Sequence, residues 1–133
     1  MRSALRVRLA TTILFLSLLH VAIYFMICSV IADAVTRPLR KELEQTPLQS
    51  GLAHVEAVSF GTDDRITLQG YFLPSSGDRA IVLVHGVHSQ CWDGQSPDLS
   101  RALVETGFSV LVFDLRAHGR SGGERVGLGW RER

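Results

Sequence analysis

The chain has 133 residues, of which 46% are hydrophobic and 20% are charged, and its formal net charge at pH 7 is +1. This nearly neutral balance, without a basic stripe interleaved with aromatic residues, argues against a nucleic-acid-binding protein. The two cysteines lie in an apolar run and in a predicted loop, so they form no disulfide framework.

The first predicted element is an apolar segment near the N-terminus. Residues 9–32 are 24 residues without a charged side chain, and as a helix they would extend about 36 Å, enough to cross a hydrocarbon core of about 30 Å. We predict one transmembrane helix in contact with membrane lipid, preceded by a basic flank at residues 1–8. A cleavable signal peptide is the alternative, because Ala32-Asp33-Ala34 resembles a cleavage site, but such peptides have apolar cores of only about 7 to 15 residues.

The orientation of this segment in a single-pass membrane protein stays open. The same number of basic side chains lies on each side of it: Arg2, Arg6 and Arg8 before, and Arg37, Arg40 and Lys41 after. The positive-inside rule therefore does not decide the orientation, because the counts of basic side chains are equal. We prefer an N-terminus inside with the globular part exported. Residues 33–54, with two prolines, mixed charges and a possible short helix around 40–45, are predicted to be a juxtamembrane linker.

Two segments that flank a turn-like Gly-Thr-Asp-Asp-Arg sequence come next. Residues 55–60 and 66–73 have strand character, and in the second segment Ile66, Leu68, Gly70 and Phe72 alternate with Thr67, Gln69 and Tyr71. This pattern predicts an antiparallel hairpin at the edge of a sheet.

Two uninterrupted apolar runs, at residues 81–84 and 110–113, are typical of strands covered on both faces. Between them, Ser96 is a predicted N-cap, Pro97 suits the first helical position and Gly107 suits the left-handed residue after a helix. Leu99, Ala102 and Leu103 are predicted to form the apolar face of this helix. The order strand, helix, strand predicts a right-handed crossover and a parallel pair.

Polar residues follow both of these strands. His85-Gly86-Val87 comes after the first, and residues 114–123 come after the second. Ligands of open α/β sheets bind beyond the carboxyl ends of the strands, so these two loops are the predicted site.

Residues 55–133 resemble the N-terminal half of an α/β-hydrolase, the superfamily of esterases, lipases and serine aminopeptidase-like enzymes. The resemblance is carried by a hairpin ending in Tyr-Phe-Leu-Pro, a strand ending in His-Gly, a helix, and a strand ending in FDLRAHGRSGG. It implies an α/β fold class, with an edge hairpin plus a βαβ unit behind one transmembrane helix, and hydrolysis of ester, amide or similar small substrates without a cofactor or metal. The sequence departs from the family at Ala117, where a second Gly is often found, and at Asp64-Arg65, where Asp-Gly is usual.

The His-Gly motif has a definite role in that family. Acyl transfer builds negative charge on a carbonyl oxygen, and backbone N–H groups aimed at it stabilise the charge. The resemblance assigns one such donor to the residue after His85-Gly86, which is Val87, and the other to the residue after the nucleophile. The alternative is that His85-Gly86 only turns the chain.

Gly119-Arg120-Ser121-Gly122-Gly123 is a formal G-x-S-x-G motif, with Asp114 and His118 nearby. A nucleophile elbow needs its serine on a sharp turn directly between a strand and a helix, whereas here the predicted strand ends near Asp114, seven residues earlier. The following GGERVGLG is also a poor helix start. We therefore expect a structural loop, formed by Asp114, Arg116, Gly119 and Ser121, and no nucleophile at Ser121.

Two other features of the sequence bear on the predicted site. His85, His88 and Cys91 are spaced three apart, but Gly86 and the preceding strand argue against the helix that a metal site at this spacing would need, so we predict no metal. Trp92 either lines a cleft or covers the core, and we favour the core.

The resemblance places the nucleophile, the acid and the catalytic histidine on later strands. We therefore expect this chain to lack all three, to be inactive alone and to fold poorly, because its sheet edge has no partner. Two function classes follow: a truncated membrane-anchored hydrolase, or a non-enzymatic membrane-tethered remnant or interaction module that pairs with an unidentified chain. The nucleophile's identity (Ser, Asp or Cys), the substrate and the oligomeric state stay open.

Overall fold

A computed structural model describes residues 2–40, 45–52, 54–127 and 129, and the chain divides into two compact units, Met1–Thr36 and Arg37–Arg133. The first unit is a helix, α1 (Arg2–Thr36), which is long and apolar enough to cross a membrane. Four of its hydroxyl side chains donate to carbonyl oxygens one turn earlier: Thr11 and Thr12 to Arg8, Ser29 to Phe25 and Thr36 to Ala32. These polar groups are thus satisfied within the helix, as an apolar surrounding requires.

The second unit contains a four-stranded sheet. Its elements are β1 (Glu56–Gly61), β2 (Thr67–Leu73), β3 (Arg79–Val84), α2 (Ser96–Glu105) and β4 (Phe108–Phe113), after a short 3-10 helix at Pro47–Gln49. The strand order is β1-β2-β4-β3, with β1/β2 and β2/β4 antiparallel and β3/β4 parallel. The predicted hairpin and βαβ unit, and with them the α/β fold class, are confirmed.

The predicted linker packs on the second unit over part of its length. Pro38 and Pro47 are buried, and α1 runs on to Thr36. The possible helix around 40–45 lies largely outside the described residues, since 41–44 are not among them.

The β1–β2 turn contains a left-handed residue of the kind usually occupied by glycine, but the residue at this position is Arg65. Arg65 has a φ of 65°, its N–H donates to the Thr62 carbonyl at 2.9 Å, and the Thr62 N–H donates to the Ile66 carbonyl at 2.8 Å. This is a three-residue hairpin loop with a left-handed residue before the second strand, the position that glycine usually fills. Arg65 adopts that conformation at the steric cost that a Cβ imposes.

Helix α2 begins one residue earlier than predicted. Gln95 is the N-cap and Ser96 is already helical, and the Ser96 Oγ donates to the Cys91 carbonyl at 2.6 Å rather than capping the helix. The predicted left-handed Gly107 is present, with a φ of 92°. The serine therefore ties the helix to the preceding loop.

The predicted apolar face of α2 is partly wrong. Leu103 packs on the core as expected, but Leu99 is 48% exposed and Ala102 is exposed, whereas Ser100 is fully buried and Val104 packs beside Leu103. The buried row runs 100, 103, 104 instead of 99, 102, 103. Both rows contain apolar residues at helical spacing, so the sequence pattern alone does not separate them.

The core lies between the sheet and α2. It consists of Tyr71, Leu73, Val110 and Val112 from the sheet with Cys91 and Trp92 from the β3–α2 loop. Trp92 is 6% exposed, as the core interpretation predicts.

Strands β3 and β4 differ in burial. Val110 and Val112 of β4 are fully buried, whereas Val82 and Val84 of β3 are 55% and 56% exposed. The prediction that both strands are covered on both faces is wrong for β3. The reason is topological: β3 is the outermost strand of the sheet, and one of its faces is left uncovered by the described residues.

Candidate functional site

Two loops leave neighbouring parallel strands at the same edge of the sheet. The first, residues 85–95, connects β3 to α2, and the second, residues 114–123, follows β4. They are joined by two hydrogen bonds: the Leu115 N–H donates to His85 Nε2 at 2.9 Å, and the Cys91 N–H donates to Asp114 Oδ1 at 2.8 Å. The two predicted motifs therefore do meet, as the parallel arrangement requires.

Asp114 anchors the second loop. It is 1% exposed, and its other carboxylate oxygen accepts the Arg120 N–H at 3.0 Å. Gly119 lies against this carboxylate with a φ of 43°, and a Cβ there would be 2.2 Å from Asp114 Oδ2. The Asp114 carboxylate therefore closes the second loop on itself through Arg120 and ties it to the first loop through Cys91.

Ser121 is fully buried, and both hydrogen-bonding roles of its hydroxyl are used. The Oγ donates to the Asp114 carbonyl at 2.5 Å and accepts the Gln69 N–H from β2 at 2.9 Å. Within the described residues after Ser121 there is no helix, which an elbow would need. The serine joins the loop to the sheet instead of facing a substrate.

Arg116 ties the same loop to the hairpin turn. Its guanidinium makes a two-pronged ion pair with Asp64, at 2.8 Å for each nitrogen–oxygen pair, and its side chain is only 6% exposed. Hydrogen bonds from Arg116 and from the Thr62 hydroxyl hold the pKa of Asp64 well below its usual range. The charged pair is thus a loop contact rather than a substrate-binding pair.

Ala117 shows why a second glycine is usual in this loop. Its φ is 63° and it is 2% exposed, so a buried non-glycine residue occupies the left-handed region. The Ala117 N–H donates to the Gly122 carbonyl at 2.9 Å, and the Gly122 N–H donates to the Thr67 carbonyl at 2.8 Å. These bonds keep the tight conformation although the side chain disfavours it.

Arg40 is a contributor that sequence reasoning missed. Its guanidinium donates to three backbone carbonyls of the second loop: Gly119 at 3.2 Å, Ser121 at 2.8 Å and Gly123 at 2.5 Å. Arg40 lies about 80 residues from its partners, and no local pattern signals such a contact. The predicted linker therefore also holds the loop.

His85 has both ring nitrogens engaged by the backbone. Nε2 faces the Leu115 N–H and Nδ1 lies 2.7 Å from the Gly86 carbonyl oxygen. Burial lowers the pKa of His85, and the edge of the His118 ring lies against it with centroids 4.8 Å apart. Neither nitrogen is left to ligate a metal.

Val87 differs from His85, whose two ring nitrogens are both engaged by backbone groups. Its side chain is 55% exposed, and among the described residues its backbone N–H makes no hydrogen bond. His88 beside it is exposed with a φ of 67°, and the thiol of Cys91 is buried, which raises its pKa. An unoccupied backbone donor thus follows β3, at the position where the resemblance places an oxyanion donor.

A cavity of about 550 Å³ opens elsewhere, between the 3-10 helix, the β3–α2 loop and α2. Its lining is largely polar, and it consists of Gln45, Gln49, Ser50, Gln90, Trp92, Asp93, Gly94, Pro97, Asp98 and Arg101. Val87 is not part of it.

Comparisons with known proteins agree with the fold of the second unit. Residues 75–129 match the model of the serine aminopeptidase S33 family. Three crystal forms of the Pyrococcus furiosus esterase Pf2001 are similar: one is 29% identical over 74% of this chain with a TM-score of 0.66, and the others are 30% identical over 71% and 66%, with TM-scores of 0.65 and 0.60.

The similarity is partial. The match covers 37%, 38% and 34% of the three esterase chains, so this chain spans less than two fifths of their length. No curated protein matches the chain. The sheet order, the two loops and these matches together show that the second unit belongs to the α/β-hydrolase superfamily and forms part of its fold.

Proposed function

We propose that this chain is the N-terminal part of a membrane-anchored hydrolase that cleaves esters, amides or similar small substrates. The observation that carries the proposal is the Val87 N–H at the carboxyl end of β3, which has no hydrogen-bond partner in the part of the chain that the structure describes and lies in a segment that matches a hydrolase family. The similar esterase supports an acyl-transfer reaction.

In that reaction a nucleophile attacks the substrate carbonyl, and its oxygen becomes negatively charged. A backbone N–H that is already free and fixed stabilises this charge without reorganisation. Val87 is suited to the task because the donor is its amide and the side chain takes no part. A second donor is expected from the residue that follows the nucleophile.

None of Ser121, Cys91 and Asp114, the potential nucleophiles buried at these two loops, is in a reactive setting. Ser121 is buried with its hydroxyl in use, and burial keeps the Cys91 thiol protonated. Asp114 is held by two backbone N–H groups. We propose that the nucleophile, the acid and the catalytic histidine are other residues than these, and that the 133-residue chain alone does not turn over esters.

The test compares hydrolysis of p-nitrophenyl esters by the 133-residue chain and by the gene product that includes any codons after Arg133. We expect turnover only from a longer product. There, Val87→Pro removes the donor and should lower kcat by about 10²–10³-fold, whereas the matched Val87→Ala keeps the N–H and should leave kcat near that of the parent. Turnover by the 133-residue chain that Ser121→Ala abolishes, or an unchanged kcat in Val87→Pro, would contradict the proposal.

The second candidate is a non-enzymatic, membrane-tethered interaction module. It is favoured by the position of β3 at one end of the four-stranded sheet, where one edge of its backbone is unpaired within that sheet and the side chains of Val82 and Val84 on one face are more than half exposed. An exposed apolar strand edge is a template for pairing with another chain. A verified stop codon after Arg133, together with a stable expressed protein, would favour this candidate over the first.

For the membrane anchor we propose a retained α1 with the N-terminus inside and the second unit exported. The support is a helix of sufficient length and apolarity. Extraction by detergent but not by alkaline carbonate, with the intact N-terminal mass, would support retention, whereas a mass starting after Ala34 would show signal-peptide cleavage. Protease digestion of the second unit in intact cells tests the orientation.

A further inference from the structure

The peptide between Gly86 and Val87 is held from its carbonyl side. The Gly86 oxygen lies 2.7 Å from His85 Nδ1 and accepts the Ser89 N–H at 3.3 Å. The described chain has no cis peptide bond, so the Val87 N–H points opposite to this carbonyl. Whatever fixes the Gly86 carbonyl therefore also aims the Val87 N–H.

The hydrogen bonds of His85 determine where its proton lies. The Leu115 N–H can only donate, so Nε2, 2.9 Å away, must be the bare acceptor. In the neutral ring the proton is then on Nδ1, facing the Gly86 carbonyl, which can only accept. Both bonds require the same tautomer, and the ring connects the end of β4 to the Gly86–Val87 peptide.

We propose that His85 is a positioning residue that aims the Val87 N–H, with the β4 backbone at Leu115 fixing the imidazole through Nε2. The inference rests on the proposed oxyanion role of Val87 and adds what orients that donor. A donor on the carbonyl also polarises the peptide, so that the opposite N–H becomes a stronger donor.

The geometry carries a pH response. A second proton on His85 would sit on Nε2, opposite the Leu115 N–H, and two donors would face each other. The titratable groups around the ring are His118 and Asp114 from the loop after β4 and Asp93 from its own loop. Burial, the largest influence, lowers the pKa of His85, against the hydrogen bond to the Gly86 carbonyl and the attraction of the two carboxylates. The ring therefore stays neutral with Nδ1 protonated until below the usual pH of histidine titration, and then releases Leu115.

The test is NMR spectroscopy of the full 133-residue chain in detergent micelles, without substrate. We expect the His85 ring nitrogens to show the Nδ1-protonated tautomer at pH 7, and the Val87 amide to shift on acidification with the same midpoint as His85, below pH 6.5. His88→Gln is the matched control, because it removes the imidazole next to Val87. The Val87 shift should persist in it.

Two substitutions separate positioning from mere packing. The amide of His85→Asn reaches the place of Nδ1 and can still donate to the Gly86 carbonyl, whereas the amide of His85→Gln reaches the place of Nε2. We expect the neutral-pH shift of the Val87 amide to stay close to that of the parent in His85→Asn and to move in His85→Gln, with the acid response lost in both.

An Nε2-protonated tautomer in the parent chain, loss of the Val87 response in His88→Gln, or equal Val87 shifts in the two His85 variants would overturn the inference. The tautomer needs no variant, so misfolding of a substituted chain leaves the inference testable. Failure of the oxyanion role would show separately, as an unchanged kcat in Val87→Pro with these NMR results intact.

Discussion

The loops after β3 and after β4 differ in how their polar groups are used. The loop after β4 contains Ser121, Asp114 and His118, the residue types of a catalytic triad, but all three are buried, and Ser121 and Asp114 are bonded to backbone groups. The loop after β3 contributes Val87, a residue without polar side-chain chemistry, yet its N–H is unoccupied among the described residues and it is exposed. The two loops therefore differ in which polar groups are left without a partner: the loop after β4 has its Ser and Asp side chains in use, whereas the loop after β3 has a backbone donor that is unbonded among the described residues.

The largest effect is expected from Gly119→Ala, which tests whether the loop after β4 is held together by its internal contacts. This substitution should unfold that loop. The new Cβ would lie 2.2 Å from an Asp114 oxygen, at a φ of 43°. Strain and overlap together should cost about 3 kcal/mol of unfolding free energy, measured by urea unfolding followed by near-UV circular dichroism. Gly94→Ala is the control, because its φ is 60° but nothing lies within 4 Å of the added Cβ, and it should cost only about 1 kcal/mol. Equal losses would mean that Asp114 and Gly119 are not in contact.

Ser121→Ala tests whether the serine is structural. It leaves the partly buried Gln69 N–H and the Asp114 carbonyl without the Ser121 hydroxyl, so we expect a loss of about 1–3 kcal/mol of unfolding free energy. The exposed Ser76→Ala should change stability by less than about 0.5 kcal/mol. A stability unchanged in Ser121→Ala, combined with a lost ester turnover, would reverse the assignments of the two loops.

The local patterns in the sequence were sufficient for the architecture. Alternation in β2, continuous apolar runs in β3 and β4, and the helix signals between Ser96 and Gly107 depend on neighbours along the chain. The structure contains each of the elements that they predict, although the N-cap is Gln95 and not Ser96. The contacts that define the loop after β4 are of another kind. Ser121 bonds Gln69 across 52 residues and Arg40 reaches Ser121 across 81, so they depend on topology that no local pattern encodes.

Burial was harder to predict than strand position, for a related reason. An apolar run indicates a strand, but it does not say which elements cover the two faces of that strand. Strands β3 and β4 therefore differ in exposure although their sequences are of the same kind. For α2, two adjacent rows of residues both satisfied the helical period, and the packing of Ser100, Leu103 and Val104 on the sheet decided between them.

The two non-glycine residues with left-handed backbone in place of the family's glycines give a smaller, stabilising prediction. Arg65 is exposed with a φ of 65°, so Arg65→Gly should raise the unfolding free energy by about 1 kcal/mol. Ala117→Gly should gain less, because it also removes a buried methyl group worth about 0.8 kcal/mol. Ala102→Gly, in the exposed part of α2, should instead lose about 1 kcal/mol. Thermal unfolding measures all three, and a loss of stability in Arg65→Gly would contradict the turn geometry.

The smallest effect concerns the ion pair between the hairpin turn and the loop after β4. The pKa of Asp64 is depressed by its hydrogen bonds to Arg116 and Thr62, so the folded state binds the proton less readily than the unfolded state. The associated stability is fully present above about pH 4, near the carboxyl's unfolded pKa, and is lost as the pH falls further. In Asp64→Asn this part of the acid dependence should disappear, whereas Asp63→Asn, next to it and exposed, should retain it. Acid unfolding monitored between pH 5 and pH 2 distinguishes them, and identical profiles for the two variants would mean that the Arg116 pair does not hold the turn against the loop in solution.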